Sequence, residues 1–278
     1  MDSSNQNGAI NAGTSKRPTL LRSLTGGLLQ PRFHILTNGY PAHKEHVDEA
    51  VCITPIKPES VVTDLKGMCH WSNQLDPKPD IRRYWDQGSH TANNKAVRRV
   101  LKDIRAQPTL IYLAGHTEKK DDQLAYTPAD YLSANSPDQP QLIPYDTMRP
   151  WLLNDQHLAP LVFITEVCFC ENFLKLPYVL QYEGNEARWV PTGHPEVSTG
   201  KSREIAFYNT KLSETRSLKD IAKKLQENVN AILSSDSAGR SQHPKVYSSR
   251  VMDEPHFFAT LGFCPPNSVI ETDSDSSG

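Results

Sequence analysis

Residues 107–117 read Gln-Pro-Thr-Leu-Ile-Tyr-Leu-Ala-Gly-His-Thr. The centre of this stretch, Thr109–Ala114, is a short apolar run rich in residues that favour strands. It reads as a buried strand that ends at Gly115-His116. Just upstream, Thr91–Ile104 places apolar residues at 97, 100, 101 and 104, the stripe of an amphipathic helix. Gln107-Pro108 stops that helix, because the residue before a proline is pushed out of the helical region.

The same grammar recurs downstream. Tyr145–Leu153 reads as a helix, Leu158-Ala159-Pro160 as a connection, and Leu161–Thr165 (LVFIT) as a second buried strand running into Glu166-Val167-Cys168. Further out, Phe33–Leu36 and Lys245–Ser248 read as short strands, and Val197–Thr199 as another. Val61–Trp71 reads as a helix with Ser60 at its N-cap, and Ser217–Leu233 as an amphipathic helix. Phe169–Tyr178 opens a helix or turn, stopped near Pro177. Strands separated by helices argue an α/β fold with a mostly parallel sheet covered on both faces.

The bulk numbers bound the rest. The 278 residues suffice for one sizeable α/β domain or two small ones. The net charge of −2 gives no electrostatic case for a nucleic-acid or anionic-membrane partner. No apolar run is long enough for a membrane span. The opening residues lack the basic and apolar regions of a secretory signal. Five cysteines, Cys52, Cys69, Cys168, Cys170 and Cys264, fit no disulfide framework. Free thiols suit a reducing, cytoplasmic setting. Cys168 and Cys170 form C-x-C rather than a zinc or redox C-x-x-C, so no metal site is expected. Residues 1–30, rich in Ser, Asn, Gly and Thr, and the acidic tail 266–278 both read as disordered. Residues 183–196 read as a polar linker.

The two strand ends carry the chemistry. In open parallel sheets, sites form at the carboxyl ends of strands. One such end offers an imidazole and another a thiol, 52 residues apart. A free thiol is mostly protonated at neutral pH, whereas the thiolate is the nucleophile. A neighbouring imidazole favours the thiolate or acts as general base, then protonates the leaving amine. Backbone N–H groups near the strand ends can hold the oxyanion.

These residues resemble the metacaspase branch of the caspase-type cysteine peptidases. Metacaspases carry a strand running into Y-S-G-H-G, and this chain has Tyr112-Leu113-Ala114-Gly115-His116-Thr117. They carry D-S-C-H-S-G and then L-D-L-P-Y, and this chain has Glu166-Val167-Cys168-Phe169-Cys170-Glu171 and then Leu174-Lys175-Leu176-Pro177-Tyr178, with no insertion between. The helix before the His strand and the late stretch Ser241–Ser248 are also similar. The resemblance covers roughly residues 30–265. It implies a caspase-like three-layer α/β/α sandwich with a central sheet of about six strands. It divides the chain into a large-subunit-like part at 31–182, the linker at 183–196 and a small-subunit-like part at 197–265, the linker being of a kind sometimes cut during activation. It implies a cysteine-type endopeptidase acting on polypeptide substrates, with His116 and Cys168 as the catalytic pair, no cofactor and an unspecified oligomeric state. Cys170 falls on the motif's serine, as a packing residue at a helix start.

Departures matter as much. The glycine after the histidine is Thr117, which keeps its N–H but adds a β-branch where Gly115 and its neighbour would line the oxyanion site. The motif's aspartate, which helps bind a basic P1 side chain, is Glu166; its charge can still favour Arg or Lys. The closing glycine is Glu171, which raises the thiol pKa if it points inward, or else faces solvent as a helix-start residue and interacts with the helix N-terminus. Asp130 resembles a P-x-D position that shapes the substrate pocket, or else caps a turn. Asp121 and Asp122 match either calcium, which activates some metacaspases, or a pair of solvated loop acids. Thr117 and Glu171 motivate the alternative function, an inactive caspase-like module that binds or regulates.

Overall fold

The computed structural model describes residues 29–40, 56–86, 89–132, 141–167, 170–183, 186–195, 204–208, 223, 227, 245–252, 261 and 263. Its elements in chain order are β1 (Arg32–Thr37), α1 (Pro58–Ser72), β2 (Asp80–Trp85), α2 (Asn94–Lys102), β3 (Thr109–Ala114), β4 (Thr117–Lys120), β5 (Gln123–Tyr126), β6 (Ile143–Pro144), α3 (Tyr145–Leu152), β7 (Leu161–Glu166), β8 (Tyr178–Glu183), β9 (Glu186–Pro191), β10 (Glu204–Tyr208) and β11 (Lys245–Ser248).

Eight strands form the main sheet in the order β2-β1-β3-β7-β10-β11-β8-β9. The pairs from β2 to β10 are all parallel, and those beyond are antiparallel. Strands β3 and β7 lie at the centre. Every residue of β3 is buried, as are Leu161–Thr165 of β7. That is why both read as unbroken apolar runs rather than as alternating patterns. Their side chains still divide by face. Ile111, Leu113, Leu161 and Phe163 join the cluster holding α2 and α3 residues Val97, Val100, Leu101, Met148 and Leu152. Leu110, Tyr112, Val162 and Ile164 join the cluster holding α1 residues Leu65, Met68 and Trp71 with Phe263. Helices on both faces of a sheet make three layers, α/β/α.

Local chemistry sets the helix ends. The Asn93 side chain accepts from the Ala96 N–H at 2.8 Å and caps α2. Lys102 and Arg98 lie over the Trp151 ring at 4.4 and 5.3 Å, fastening α2 to α3. In α1, Pro58 occupies the first turn, where its missing N–H costs nothing. The cap is Lys57, so the expected cap Ser60 lies inside the helix.

Two expectations need correction. Among the described residues the sheet has eight strands rather than about six, because Asp80–Trp85 adds an edge on one side and a hairpin adds two strands on the other. Residues 183–196 are not an irregular linker: Glu186–Pro191 pairs antiparallel with β8 along its whole length, ending on Glu183↔Glu186. Of the helix or turn expected at Phe169–Tyr178, the described part is a turn at 171–174, followed by β8. Val197–Thr199 lies outside the described residues, and the strand parallel to β7 is β10 instead. Segment 1–30, apart from its last two residues, and the tail 266–278 also lie outside them. Of the expected helix at 217–233, Lys223 and Glu227 are described, both helical and 3.9 Å apart as an ion pair. No helix among the described residues is long and apolar enough to cross a membrane.

Candidate functional site

Strands β3 and β7 pair directly, with Ala114 opposite Glu166. The Gly115 N–H donates to the Glu166 carbonyl at 3.4 Å. Neighbouring strands lie about 4.8 Å apart. The two chain exits, toward His116 and toward Cys168, therefore leave the sheet side by side. Cys168 lies outside the described residues; Val167 before it and Cys170 after it are both buried.

Gly115 is required by its surroundings. Its φ is +150°, and an added Cβ would sit 2.5 Å from the Tyr40 hydroxyl and 3.2 Å from the Tyr126 ring. Tyr40 explains why. Its ring stacks on the His116 ring at 5.0 Å with a 26° tilt. Its hydroxyl accepts from the His116 backbone N–H at 2.9 Å and donates to the Thr127 carbonyl at 2.6 Å. Tyr40 comes from the end of β1, the strand beside β3, and adopts φ 57°, an uncommon backbone for a bulky residue. Burial pushes its phenol well above the usual tyrosine range, so it stays a neutral hydrogen-bonding group. Tyr131 closes the other side, edge-on to Tyr40 at 6.4 Å.

A second set of polar groups backs this seam. Asn38 donates to the Tyr126 hydroxyl at 2.9 Å, and Tyr126 donates to the Ala114 carbonyl at 3.3 Å. Thus β1 and β5 both grip the turn that presents His116. The imidazole itself is half-buried. Glu118, two residues on, lies near enough for His116 to act on its charge, while burial lifts the Glu118 carboxyl above the ordinary range.

The remaining expected site residues fall as follows. The Thr117 side chain is buried, and its hydroxyl bonds the Tyr145 hydroxyl at short range. Its β-branch is thereby used in packing against α3. Asp130 is exposed and accepts from the Asn94 N–H at 2.6 Å, holding the first residue of α2. Glu166 stands at the carboxyl end of β7 and acts on Tyr112 of β3 together with Asp64 of α1. Burial first, then these two carboxylates, push the Tyr112 phenol far up. An acidic corner thus forms on the α1 face, next to the point where the chain enters Val167-Cys168. Sequence reading missed Asp64, Tyr40 and Tyr126. The first two sit on elements that it had placed or that border them, but no spacing rule ties them to His116 or Glu166.

The turn after Cys168 is tethered. Lys245 of β11 holds the Glu171 carboxylate at 2.7 Å and keeps it below the usual carboxylate range. Glu171 therefore engages β11 and its lysine. Asn172 closes the turn, donating to the Leu176 carbonyl at 3.1 Å and accepting its N–H at 2.9 Å. Arg149 of α3 donates to the Leu174 carbonyl at 2.9 Å. Beside this turn opens a cavity of about 820 Å³ with Tyr145, Phe173 and Tyr247 in its wall. It lies at the same sheet edge as the two strand ends, because Lys245 in its rim pairs with Tyr208, the carboxyl end of β10.

Asp121 and Asp122 form the two-residue turn between β4 and β5, at φ 51° and 61°. Asp122 pairs with Lys119 at 2.7 Å. Among the described residues no group of three or more His, Cys, Asp or Glu is arranged to hold a metal.

No protein-family model matches the chain, and no curated protein does either. Among solved structures it is similar to the Drosophila initiator caspase Dronc, with 10% identity, 94% of this chain and 99% of that one covered, and a TM-score of 0.42. That likeness assigns no residue here a role.

Proposed function

We propose that this chain is a cysteine-type endopeptidase that cleaves after basic residues, using Cys168 as nucleophile and His116 as its acid–base partner. The observation that carries the reading is the register of β3 on β7: Ala114 faces Glu166, so His116 and Cys168 follow two adjacent parallel strand ends. His116 takes the thiol proton, or stabilises the thiolate, and later protonates the leaving amine. Backbone N–H groups around Gly115 and Thr117 are candidates for holding the oxyanion. Glu166 and Asp64, converging on Tyr112, supply negative charge for an Arg or Lys side chain at P1. The dyad itself needs no cofactor. The substrate is a polypeptide, and a free catalytic thiol suits a reducing, cytoplasmic setting.

Two contacts at the motif departures support the active reading over the inactive module. The Thr117 side chain is seated against Tyr145, and Glu171 is neutralised by Lys245.

The test is turnover of Arg-, Lys- and Asp-P1 fluorogenic peptides, with and without calcium, by the native chain, Cys168→Ala and His116→Ala. Cleavage of the Arg and Lys peptides that both substitutions abolish supports the proposal. Glu166→Gln and Asp64→Asn should each lower kcat/KM for Arg by about tenfold, roughly 1.4 kcal/mol. No turnover in any condition, together with no labelling by a thiol-reactive peptide, sinks the protease reading in favour of a binding module.

A further inference from the structure

Strand β2 is the outer edge of the main sheet, and a cavity of about 590 Å³ runs along it. Five consecutive residues, Ile81, Arg82, Arg83, Tyr84 and Trp85, line that cavity. Successive strand side chains point to opposite faces, so consecutive residues share a space only when it follows the strand's open edge.

The hydrogen bonds fix which backbone groups face outward. Asp80 donates inward to the Pro31 carbonyl at 2.8 Å. By alternation Arg82 and Tyr84 also face β1, whereas Ile81, Arg83 and Trp85 face out. The outward N–H of Trp85 is taken by the His90 carbonyl at 2.8 Å, which closes that end. Among the described residues nothing pairs with the outward backbone groups of Ile81 and Arg83, which remain as two donor–acceptor pairs.

The charged side chains that line this cavity, among the described residues, are cationic. Arg82, Arg83 and Arg99 line the cavity with His90 beside them, and among the described residues no acidic side chain does. Asp80 is turned to Arg32 and Arg82, at 3.3 Å each. Arg82 shares its face with Tyr84, and Arg99 lies on the Tyr84 ring at 5.9 Å, so one face of the groove is cationic. The other face carries Arg83 between Ile81 and Trp85, which pack on the α1-side core. Charged side chains on an edge commonly deter sheet-to-sheet pairing. A single-signed edge deters neutral and basic strands while favouring an acidic one.

We propose that this edge is a docking site for an extended acidic segment of a separate polypeptide, added as a ninth strand, with carboxylates at alternate positions and apolar residues between them. The main chain pairs with Ile81 and Arg83, the carboxylates meet Arg82, Arg99 and His90, and the apolar side chains meet Ile81 and Trp85. This site is independent of the dyad at the centre of the sheet.

The probe is a short labelled peptide alternating Glu with Val, titrated against the full chain by fluorescence anisotropy, beside a Lys-for-Glu control. Binding should be saturable, absent for the control and weakened by salt. Arg82→Glu and Arg99→Glu should each weaken it about tenfold. Arg83→Pro should weaken it several-fold more than Arg83→Ala, because only proline also removes the outward N–H, a change that edge strands accommodate. Both Arg83 variants are compared for thermal unfolding first, and the Arg82 and Arg99 variants decide the matter should the proline variant not fold. The proposal is overturned by no binding, by binding indifferent to Arg82→Glu and Arg99→Glu, or by equal loss in the two Arg83 variants. Binding that appears only after removal of residues 266–278 also overturns it, since the chain's own acidic stretch Glu271–Asp275 would then be the occupant.

Discussion

At Gly115 a single missing side chain lets three residues share one volume. The space a Cβ would fill belongs to the Tyr40 hydroxyl, which in turn fixes the His116 backbone. Gly115→Ala must therefore displace Tyr40 and also hold an alanine at φ +150°. It should destabilise the fold by about 2–3 kcal/mol and depress activity, read from urea midpoints and kcat. Tyr40→Phe is the gentler probe. It keeps the ring stacked on His116 and removes only the hydroxyl, leaving the His116 N–H and the Thr127 carbonyl without their partner. Stability should fall by about 1–3 kcal/mol for the orphaned buried groups. If the hydroxyl positions the imidazole, kcat should fall about tenfold with KM unchanged; an unaltered kcat would deny it that role. Sequence reading reached His116 and Gly115 because strand-end logic and a motif both pointed there. It could not reach Tyr40, which lies 76 residues away. Only the placement of β1 beside β3 brings the two together, and no local pattern records that adjacency.

The same division between local and long-range information holds for whole elements. Strand β3 was legible to the residue, as was β11, because short apolar or β-rich runs bounded by clear stops leave little choice. Strand β9 was read as part of a linker, although a hairpin signal is present: Tyr178–Glu183 and Glu186–Pro191 flank Gly184-Asn185, a two-residue turn signal. Its residues are half-exposed and carry Glu, Gln and Arg, so composition outweighed the turn. Strand β2 was missed for a related reason. An edge strand reading Asp-Ile-Arg-Arg-Tyr-Trp buries only Tyr84 fully and shows no clean alternation. The β4–β5 turn offers a direct check on turn chemistry. Asp121 and Asp122 both hold positive φ, which an Asn-Gly pair satisfies with less strain. The double substitution Asp121→Asn with Asp122→Gly should raise stability by about 0.5–1 kcal/mol in urea melts, even after losing the exposed Lys119 pair. A fall in stability would mean that the aspartates have a use beyond the turn, and a calcium-dependent fall would identify it.

Across the whole molecule, the sheet separates two regions of opposite charge. Its centre ends in the acidic corner of Glu166 and Asp64, while its β2 edge gathers Arg32, Arg82 and Arg99 around one buried histidine. His34 of β1 is 4% exposed, its ring stacks against Tyr84 at 6.5 Å with a 23° tilt, and its Nδ1 has no hydrogen-bond partner among the described residues. Burial, then the charges of Arg32 and Arg82, lower its pKa from 6.5 to about 4, with Asp80 opposing and Arg99 adding to the fall. The unfolded chain therefore binds a proton between those values that the folded chain refuses. Stability is undiminished above pH about 6.5, falls as the pH drops from there toward 4, and loses about 3 kcal/mol through this one group. His157 acts in the same sense, since burial lowers its pKa while its Nδ1 accepts from the Arg105 N–H. The native chain therefore carries both contributions. His34→Phe keeps a flat ring against Tyr84 and removes one of them, so its unfolding free energy should fall less between pH 7 and 4 than that of the native chain. Parallel pH profiles for the two would show that His34 is protonated in the folded state, with an acidic side chain drawn in against the arginines.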